Sequence, residues 1–170
     1  MTNIERLVSI SSEALSPIRP GVIPQFLPEY REGKELFGML EQKNGFYAFE
    51  SALHVFPLSP DANMGLEGWN TQSLWRNNYG HLADGLLFFG EDIFQDQFCL
   101  SKWEPGVYRF HSETGQRSLM GGSLEKWAGL ILSNHQAETG WPFAHEWQEK
   151  NGPLSFGERL MPKTPFFLGG

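Results

Sequence analysis

The sequence predicts a single α+β domain, in which helices pack against an antiparallel β-meander. Short segments of β-prone residues, bounded by turn residues, follow one another between residues 85 and 119. Segments with apolar residues at helical spacing precede and follow them. The chain has 170 residues, a length that is typical of one domain.

The N-terminal part of the chain is predicted to contain two helices. Thr2 or Asn3 caps a short first helix, which Pro17 ends. Residues 17–28 contain four prolines, so we expect an extended connection there. Apolar side chains recur at helical spacing over residues 33–43, which predicts the second helix.

The middle of the chain contains an ambiguous segment, a helix and then the strands. Residues 46–56 fit either a helix face or a strand, and both interpretations stay open. Asn70 is expected to cap a helix that runs to about Tyr79 and stops at Gly80. The strands of the meander are predicted at residues 85–89, 96–101, 106–111 and 116–119.

The C-terminal part of the chain returns to helices. Ser123 caps a helix over residues 123–133, and Pro142 fits the first turn of another helix, which ends at Gly152. Residues 165–170 are expected to form a strand that runs into a turn. An apolar strand that stops at two glycines indicates a piece of a longer chain, with a natural end as the alternative.

The net charge of −7 is concentrated in residues 44–101. That segment holds seven acidic residues and one base, Arg76, whereas the rest of the chain holds thirteen acids and twelve bases. A nucleic-acid-binding protein usually has the opposite sign, so we expect no direct nucleic-acid contact. Complementary charge favours a basic protein partner instead. The alternative is that these acids lie on different faces of the fold.

The sequence shows no signal of secretion or of membrane insertion. It has no run of about 18 apolar residues, and its N-terminus lacks a basic region followed by an apolar one. The single cysteine, Cys99, has no partner for an intrachain disulfide, and we expect it to be a half-buried packing residue. These observations predict a cytoplasmic protein without membrane contact.

The stretch of residues 86–101 turns from apolar to acidic and holds the best catalytic candidates. Glu91 and Asp92 are adjacent at a turn, Asp96 opens the next strand, and Asp84 precedes the first. Such carboxylates bind hard cations or form an acid–base pair, which would make a metal-assisted hydrolase. Because the spacing of a calcium-binding hand is missing and turns favour aspartate locally, we favour solvated turn acids.

A zinc-protease motif begins in the C-terminal helix but is incomplete. His145 and Glu146 match its start, whereas Glu149 stands where the second histidine is needed. The simpler interpretation is an amphipathic helix that buries Phe143 and Trp147. We therefore expect no catalytic residue, no metal and no cofactor.

Six tryptophans in a chain of this length suggest aromatic anchors for a partner. Large aromatic side chains usually pack in a core, but tryptophan is also enriched at interface hot spots. We expect one binding patch in which charge steers the partner and the rings hold it. The predicted contact residues are Glu91, Asp92, Asp96, Trp69, Trp75 and Trp103.

Six short motifs follow one another along the chain: Leu27-Pro28-Glu29-Tyr30, Asn44-Gly45, Leu86 to Ser101, Gly106-Val107-Tyr108, Thr114-Gly115 and Ser123-Leu124-Glu125. This ordered series resembles the SUKH superfamily, which includes cell-wall synthesis regulators of the Smi/Knr type and many bacterial immunity proteins. The resemblance spans residues 24–133 and leaves residues 141–170 as an extension. Phe46 and Gln95 stand at two positions where the family commonly has glycine.

The resemblance implies an α+β binding module, since bacterial members of this family neutralise toxins by direct contact. Those toxins are often nucleic-acid-directed and hence basic, which agrees with the acidic bias of this chain. No shared catalytic residue is carried over. The first hypothesis is thus a non-enzymatic immunity protein, and the alternatives are a metal-assisted hydrolase and a scaffold in cell-wall control. The oligomeric state stays open.

Overall fold

A six-stranded antiparallel sheet lies at the centre of the fold. The computed structural model describes residues 1–17, 23–59 and 65–169. Within these residues the strands are β1 (Phe46–Ala48), β2 (Leu53–Val55), β3 (Leu86–Glu91), β4 (Gln97–Ser101), β5 (Val107–Phe110) and β6 (Arg117–Gly121). Their order in the sheet is their order in the chain, so the sheet is a continuous meander. The predicted α+β class is confirmed.

Five α-helices and three short 3₁₀ helices accompany the sheet within the same residues. The α-helices are α1 (Asn3–Ser9), α2 (Gly33–Gln42), α3 (Leu66–Trp69), α4 (Leu124–Thr139) and α5 (Trp141–Asn151). The 3₁₀ helices are Leu27–Glu29, Arg76–Ala83 and Phe166–Leu168. None of the described helices combines the length and the apolar character that a bilayer crossing requires.

Helix starts are confirmed where the capping residue acts on its own first turn. Thr2 Oγ1 accepts a hydrogen bond from the Glu5 N–H, and the Glu5 carboxylate accepts one from the Thr2 N–H, which completes a capping box. At the start of α4, Ser123 Oγ accepts a hydrogen bond from the Lys126 N–H. These interactions need no distant partner, which is why the sequence predicts them.

The ambiguous residues 46–56 form the β1–β2 hairpin. Its turn contains three consecutive residues with positive φ, Phe49 (52°), Glu50 (52°) and Ser51 (67°). Left-handed backbone is unfavourable for such side chains. The hairpin is nevertheless formed, because both strands then bury apolar side chains under the helices.

The helix predicted from Asn70 to Tyr79 is wrong. The Asn70 side chain instead pairs with the backbone of Phe88 in β3: its amide donates to the Phe88 carbonyl at 2.7 Å, and its Oδ1 accepts from the Phe88 N–H at 2.8 Å. A 3₁₀ helix begins only at Arg76 and bends at Gly80, where φ is 55°. A tertiary contact therefore replaces the predicted cap.

The C-terminal tail is the second wrong prediction, because residues 166–168 form a 3₁₀ helix and not a strand. The Phe166 and Phe167 N–H groups donate to the Glu113 carboxylate at 2.7 and 3.0 Å, so they are not available to a strand partner. The extended connection predicted over residues 17–28 falls in part on residues 18–22, outside the described residues.

The two faces of the sheet differ in how they are covered. Helices α1, α2 and α4 cover the first face, where the buried Trp127 ring lies 5.1 Å from Phe89 and 5.6 Å from Phe98. On part of the second face, Trp75 packs edge-on against Phe88 at 4.7 Å. The rest of the second face carries polar side chains, and these form the interior of the site described below.

The two edge strands also differ. The outer edge of β1 is covered by residues 11–15, since the Ser12 N–H donates to the Tyr47 carbonyl at 2.7 Å. Within the described residues no strand pairs with the outer edge of β6. There the Leu119 side chain is largely exposed. Among the described residues the sheet thus has one covered edge and one open edge.

Replacement of Trp127 by alanine tests the assignment of the core. We expect a loss of about 4 kcal/mol in the free energy of unfolding, because a fully buried ring leaves a cavity. Urea unfolding followed by far-ultraviolet circular dichroism measures the loss. Trp147→Ala is the matched control, and its exposed ring on α5 predicts a change below about 1 kcal/mol. Equal losses in the two variants would contradict the assignment.

Candidate functional site

A row of polar side chains crosses the second face of the sheet. Tyr47 on β1 is paired with His54 on β2, His54 with Glu91 on β3, and Glu91 with Gln97 on β4. Strand residues that are paired in this way point to the same face of a sheet. The row therefore brings together four side chains that are up to fifty positions apart in the sequence.

The Glu91 carboxylate is at the centre of this row and is paired inside the protein. Its Oε1 accepts a hydrogen bond from Arg159 Nε at 2.9 Å and lies 3.1 Å from His54 Nδ1. The side chains of all three residues are almost completely buried. Gln97 Nε2 is 3.4 Å from Oε2, and Gln97 Oε1 in turn accepts from Trp69 Nε1 at 2.9 Å.

The charge states of this cluster follow from burial and from the short contacts. Burial lowers the pKa of His54, so the ring is neutral at pH 7 and its Nδ1–H donates to Glu91. Burial raises the pKa of Glu91, but the His54 hydrogen bond and the Arg159 charge outweigh burial and hold that pKa below its usual value. An ionised carboxylate held by a guanidinium is a structural ion pair and a poor proton donor.

Asp92 is also buried and organises the β3–β4 turn. Its Oδ1 accepts hydrogen bonds from the Phe94 N–H at 2.8 Å and from the Asp96 N–H at 3.0 Å. Its Oδ2 accepts from Arg109 Nη1 at 2.8 Å. Arg109 Nη2 continues to the carbonyl of Glu138 near the end of α4. Asp92 thus joins the turn to β5 and, through Arg109, to α4.

Asp96 is the third carboxylate of the acidic segment and closes the next loop. Its Oδ1 accepts hydrogen bonds from the Ser112 N–H at 2.9 Å and from Ser112 Oγ at 3.0 Å. Its Oδ2 lies 3.1 Å from His111 Nδ1. These contacts hold the loop after β5 against the start of β4, so the carboxylate is engaged within the chain.

The expected free acidic surface is therefore not formed by these three carboxylates. Glu91 and Asp92 are only 4% and 5% exposed, and the Asp96 side chain is 23% exposed. The physical reason is that two arginines from remote segments, Arg159 and Arg109, neutralise the buried charges. Contact of these residues with a partner stays a prediction, but all three carboxylates are engaged within the chain.

The four carboxylates of the hydrolase hypothesis do not converge. Asp84 precedes β3, whereas Glu91 and Asp92 lie at its far end, about 20 Å away at the usual rise of a strand. Across residues 1–17, 23–59 and 65–169, no group of three or more histidine, cysteine, aspartate or glutamate side chains is placed to hold a metal ion. Another member of the acidic segment, Asp61, lies outside the described residues.

Two of the three candidate tryptophans belong to the interior. Trp69 and Trp75 are half-buried, their ring centroids are 5.8 Å apart, and Trp75 Nε1 donates to the Trp69 carbonyl. Trp103 is different, because 67% of it is exposed. Among the six predicted contact residues, Trp103 is thus the one with a largely exposed side chain.

Trp103 forms one wall of a surface groove of about 460 Å³. His81 and Leu82 of the 3₁₀ helix Arg76–Ala83, Asp84 and residues 114–117 also line the groove. Exposed Leu82 adds an apolar side chain. Arg117, the first residue of the open edge strand β6, also lines it. The groove and the open edge are therefore neighbours.

A second groove of about 490 Å³ lies between α5 and residues 160–163. Phe143 and Trp147, which were expected to be buried, are exposed in it, so that expectation is wrong. The apolar spacing of α5 does predict a helix face, but a helix face packs only where another element covers it. Here the C-terminal segment covers it incompletely.

Cys99 lies inside the sheet and is fully buried, whereas we expected it to be half-buried. Burial raises the pKa of its thiol to about 12. Because the thiolate is the reactive form of cysteine, this residue is inert at neutral pH.

Comparison of the chain with models of protein families, with curated proteins and with solved structures gave no match. The resemblance to the SUKH superfamily therefore stays a prediction.

Replacement of Glu91 by glutamine tests the buried ion pair. We expect a loss of about 3 kcal/mol in the free energy of unfolding, because Arg159 would keep a buried charge without a carboxylate. Chemical unfolding measures the loss. Glu146→Gln is the matched control: it removes the carboxylate of an exposed ion pair with Lys150 and should leave stability unchanged. A loss of the same size in the control would contradict the assignment of Glu91.

The pH dependence of stability tests the environment of Asp92. Burial and the neighbouring Asp96 carboxylate raise the pKa of Asp92 to about 7, although Arg109 opposes this. Between pH 3.8 and 7 the native state thus binds a proton that the unfolded state lacks, so stability falls as pH rises. We expect the difference in unfolding free energy between wild type and Asp92→Asn to change by about 2 kcal/mol from pH 5 to pH 8.

The comparison with Asp92→Asn cancels the contributions of other titrating groups to stability, because both proteins contain them. One such group is His54, whose lowered pKa makes stability rise with pH, in the direction opposite to Asp92. Asp84→Asn is the control, because Asp84 is exposed. The same pH profile for wild type and Asp92→Asn would show that Asp92 is ionised throughout this range.

Proposed function

We propose that the protein is a cytoplasmic, non-enzymatic binding module of the immunity type, which neutralises a toxin by direct contact. The observation that carries the proposal is the exposed Trp103 ring, which lines a groove beside the open edge strand β6. Exposed aromatic side chains in a pocket are typical anchors of protein interfaces. An open edge strand adds unpaired backbone donors and acceptors to the same surface.

The ionisable residues support a binding role more than a catalytic one. Glu91, Asp92 and Asp96 are engaged by Arg159, Arg109 and Ser112, and these contacts hold parts of the fold together. Their geometry therefore accounts for their presence without a reaction. The metal-assisted hydrolase has less support, because its fourth carboxylate, Asp84, lies at the other end of β3.

The charge of the chain supports a basic partner. The net charge is −7, and a nucleic-acid-directed toxin carries a basic surface for its phosphate-rich target. The proposed contact surface moves, however, from the buried carboxylates to the groove of Trp103, Leu82 and Asp84. Long-range attraction still speeds the encounter, since it depends on the whole charge distribution.

Co-expression with the product of the neighbouring gene tests this proposal. We expect that product to stop bacterial growth by itself, and the present protein to restore growth and bind it directly. Trp103→Ala should weaken binding by about thirtyfold or more, the effect of losing a hot-spot ring, as measured by calorimetry. Trp147→Ala, which removes an exposed ring from the other groove, is the control and should bind normally.

Two results would contradict the proposal. The first is a neighbouring product that neither inhibits growth nor binds. The second is full protection and unchanged affinity in the Trp103→Ala variant, which would place any contact surface elsewhere.

A further inference from the structure

The Trp103 ring is held in place by the end of the β3–β4 strand pair. The Lys102 N–H donates to the Gly85 carbonyl at 3.0 Å, and the Trp103 N–H donates to Ser101 Oγ at 3.2 Å. The ring lies directly on the backbone of Gly85, where an added Cβ would be 2.5 Å from Trp103 Cη2. Since Gly85 also has a φ of +61°, glycine is required there for two reasons. Most of the surface of Trp103 is exposed.

Asp84 precedes Gly85 and borders the same groove. It is exposed, and within the described part of the chain no cation lies within 4.0 Å of its carboxylate. The Arg76 guanidinium is nearby, but it donates to the carbonyls of Ala83 and Asn70. Asp84 is thus exposed in the groove and has no ion pair among the described residues.

The other charged residue of the groove is already engaged. Arg117 Nη1 lies 3.3 Å from Glu104 Oε2, and its guanidinium stacks over the Tyr108 ring at 5.4 Å. His81 is exposed on the helix that borders the groove. The groove therefore combines an aromatic face with a carboxylate that has no ion pair among the described residues.

We propose that this groove takes an arginine side chain of the basic partner, stacked on Trp103 and ion-paired with Asp84. The inference rests on the proposed function and specifies the residue of the partner that the surface recognises. A planar guanidinium stacks on an indole ring and donates to a carboxylate at the same time. The Asp84 carboxylate beside the Trp103 ring disfavours phosphate, and an apolar side chain would leave Asp84 unpaired.

A small guanidinium probe tests the inference on the whole protein. N-acetyl-arginine amide is titrated into ¹⁵N-labelled protein, and the indole N–H signal of Trp103, assigned with Trp103→Phe, is followed. We expect a saturable shift at millimolar concentrations. N-acetyl-citrulline amide has the same shape without the charge, and we expect it to bind more weakly by a factor of about five or more. Asp84→Asn should weaken arginine binding by a similar factor.

Each outcome decides the inference. A saturable shift that prefers arginine and needs Asp84 supports it. No shift of the Trp103 signal, equal shifts with citrulline, or unchanged arginine binding in Asp84→Asn would overturn it. Glu113→Gln, which removes a carboxylate on the neighbouring loop, is the control and should bind arginine normally. If the protein binds N-acetyl-arginine amide but the neighbouring gene product neither inhibits growth nor binds, the proposed function is overturned. The arginine site is still supported in that case.

Discussion

The burial of two adjacent carboxylates at the end of β3 is the constraint on which the rest of this structure depends. A buried carboxylate is stable only if a cation and hydrogen-bond donors replace the water that it loses. Glu91 receives Arg159 from the C-terminal segment, and Asp92 receives Arg109 from β5. Each ion pair therefore fixes a second element, so the end of β3 is the point where distant parts of the chain are joined.

These ion pairs also make the two ends of β3 different. At the acidic end of β3, Glu91 pairs with Arg159 and Asp92 pairs with Arg109, and these contacts hold the C-terminal segment and α4. At the other end of β3, Asp84 and Trp103 have no such commitment and face a groove. The β3–β4 strand pair thus has one end whose charged side chains are engaged in ion pairs and another end whose side chains are exposed. The exposed end lies beside the outer edge of β6, which no strand covers among the described residues.

The elements that the sequence predicts well are those that depend on neighbours in the chain. The caps at Thr2 and Ser123 act within one turn of their own helices. The alternation of Phe98 and Leu100 with Cys99 identifies β4 in the same way. Asn70 shows the opposite case, because its side chain has the chemistry of a cap but pairs with Phe88, eighteen residues later. A local pattern holds no information about such a partner.

The sequence by itself determined the α+β class, the meander of the last four strands, the main helix starts and the negative charge of the middle segment. It also marked Glu91, Asp92, Asp96 and Trp103 as unusual. Only the tertiary structure decided that the first two are buried ion-paired groups and that Trp103 is exposed. The reason is physical: a side chain's charge and size belong to the residue, whereas its burial and its counter-ion come from segments that only folding brings near.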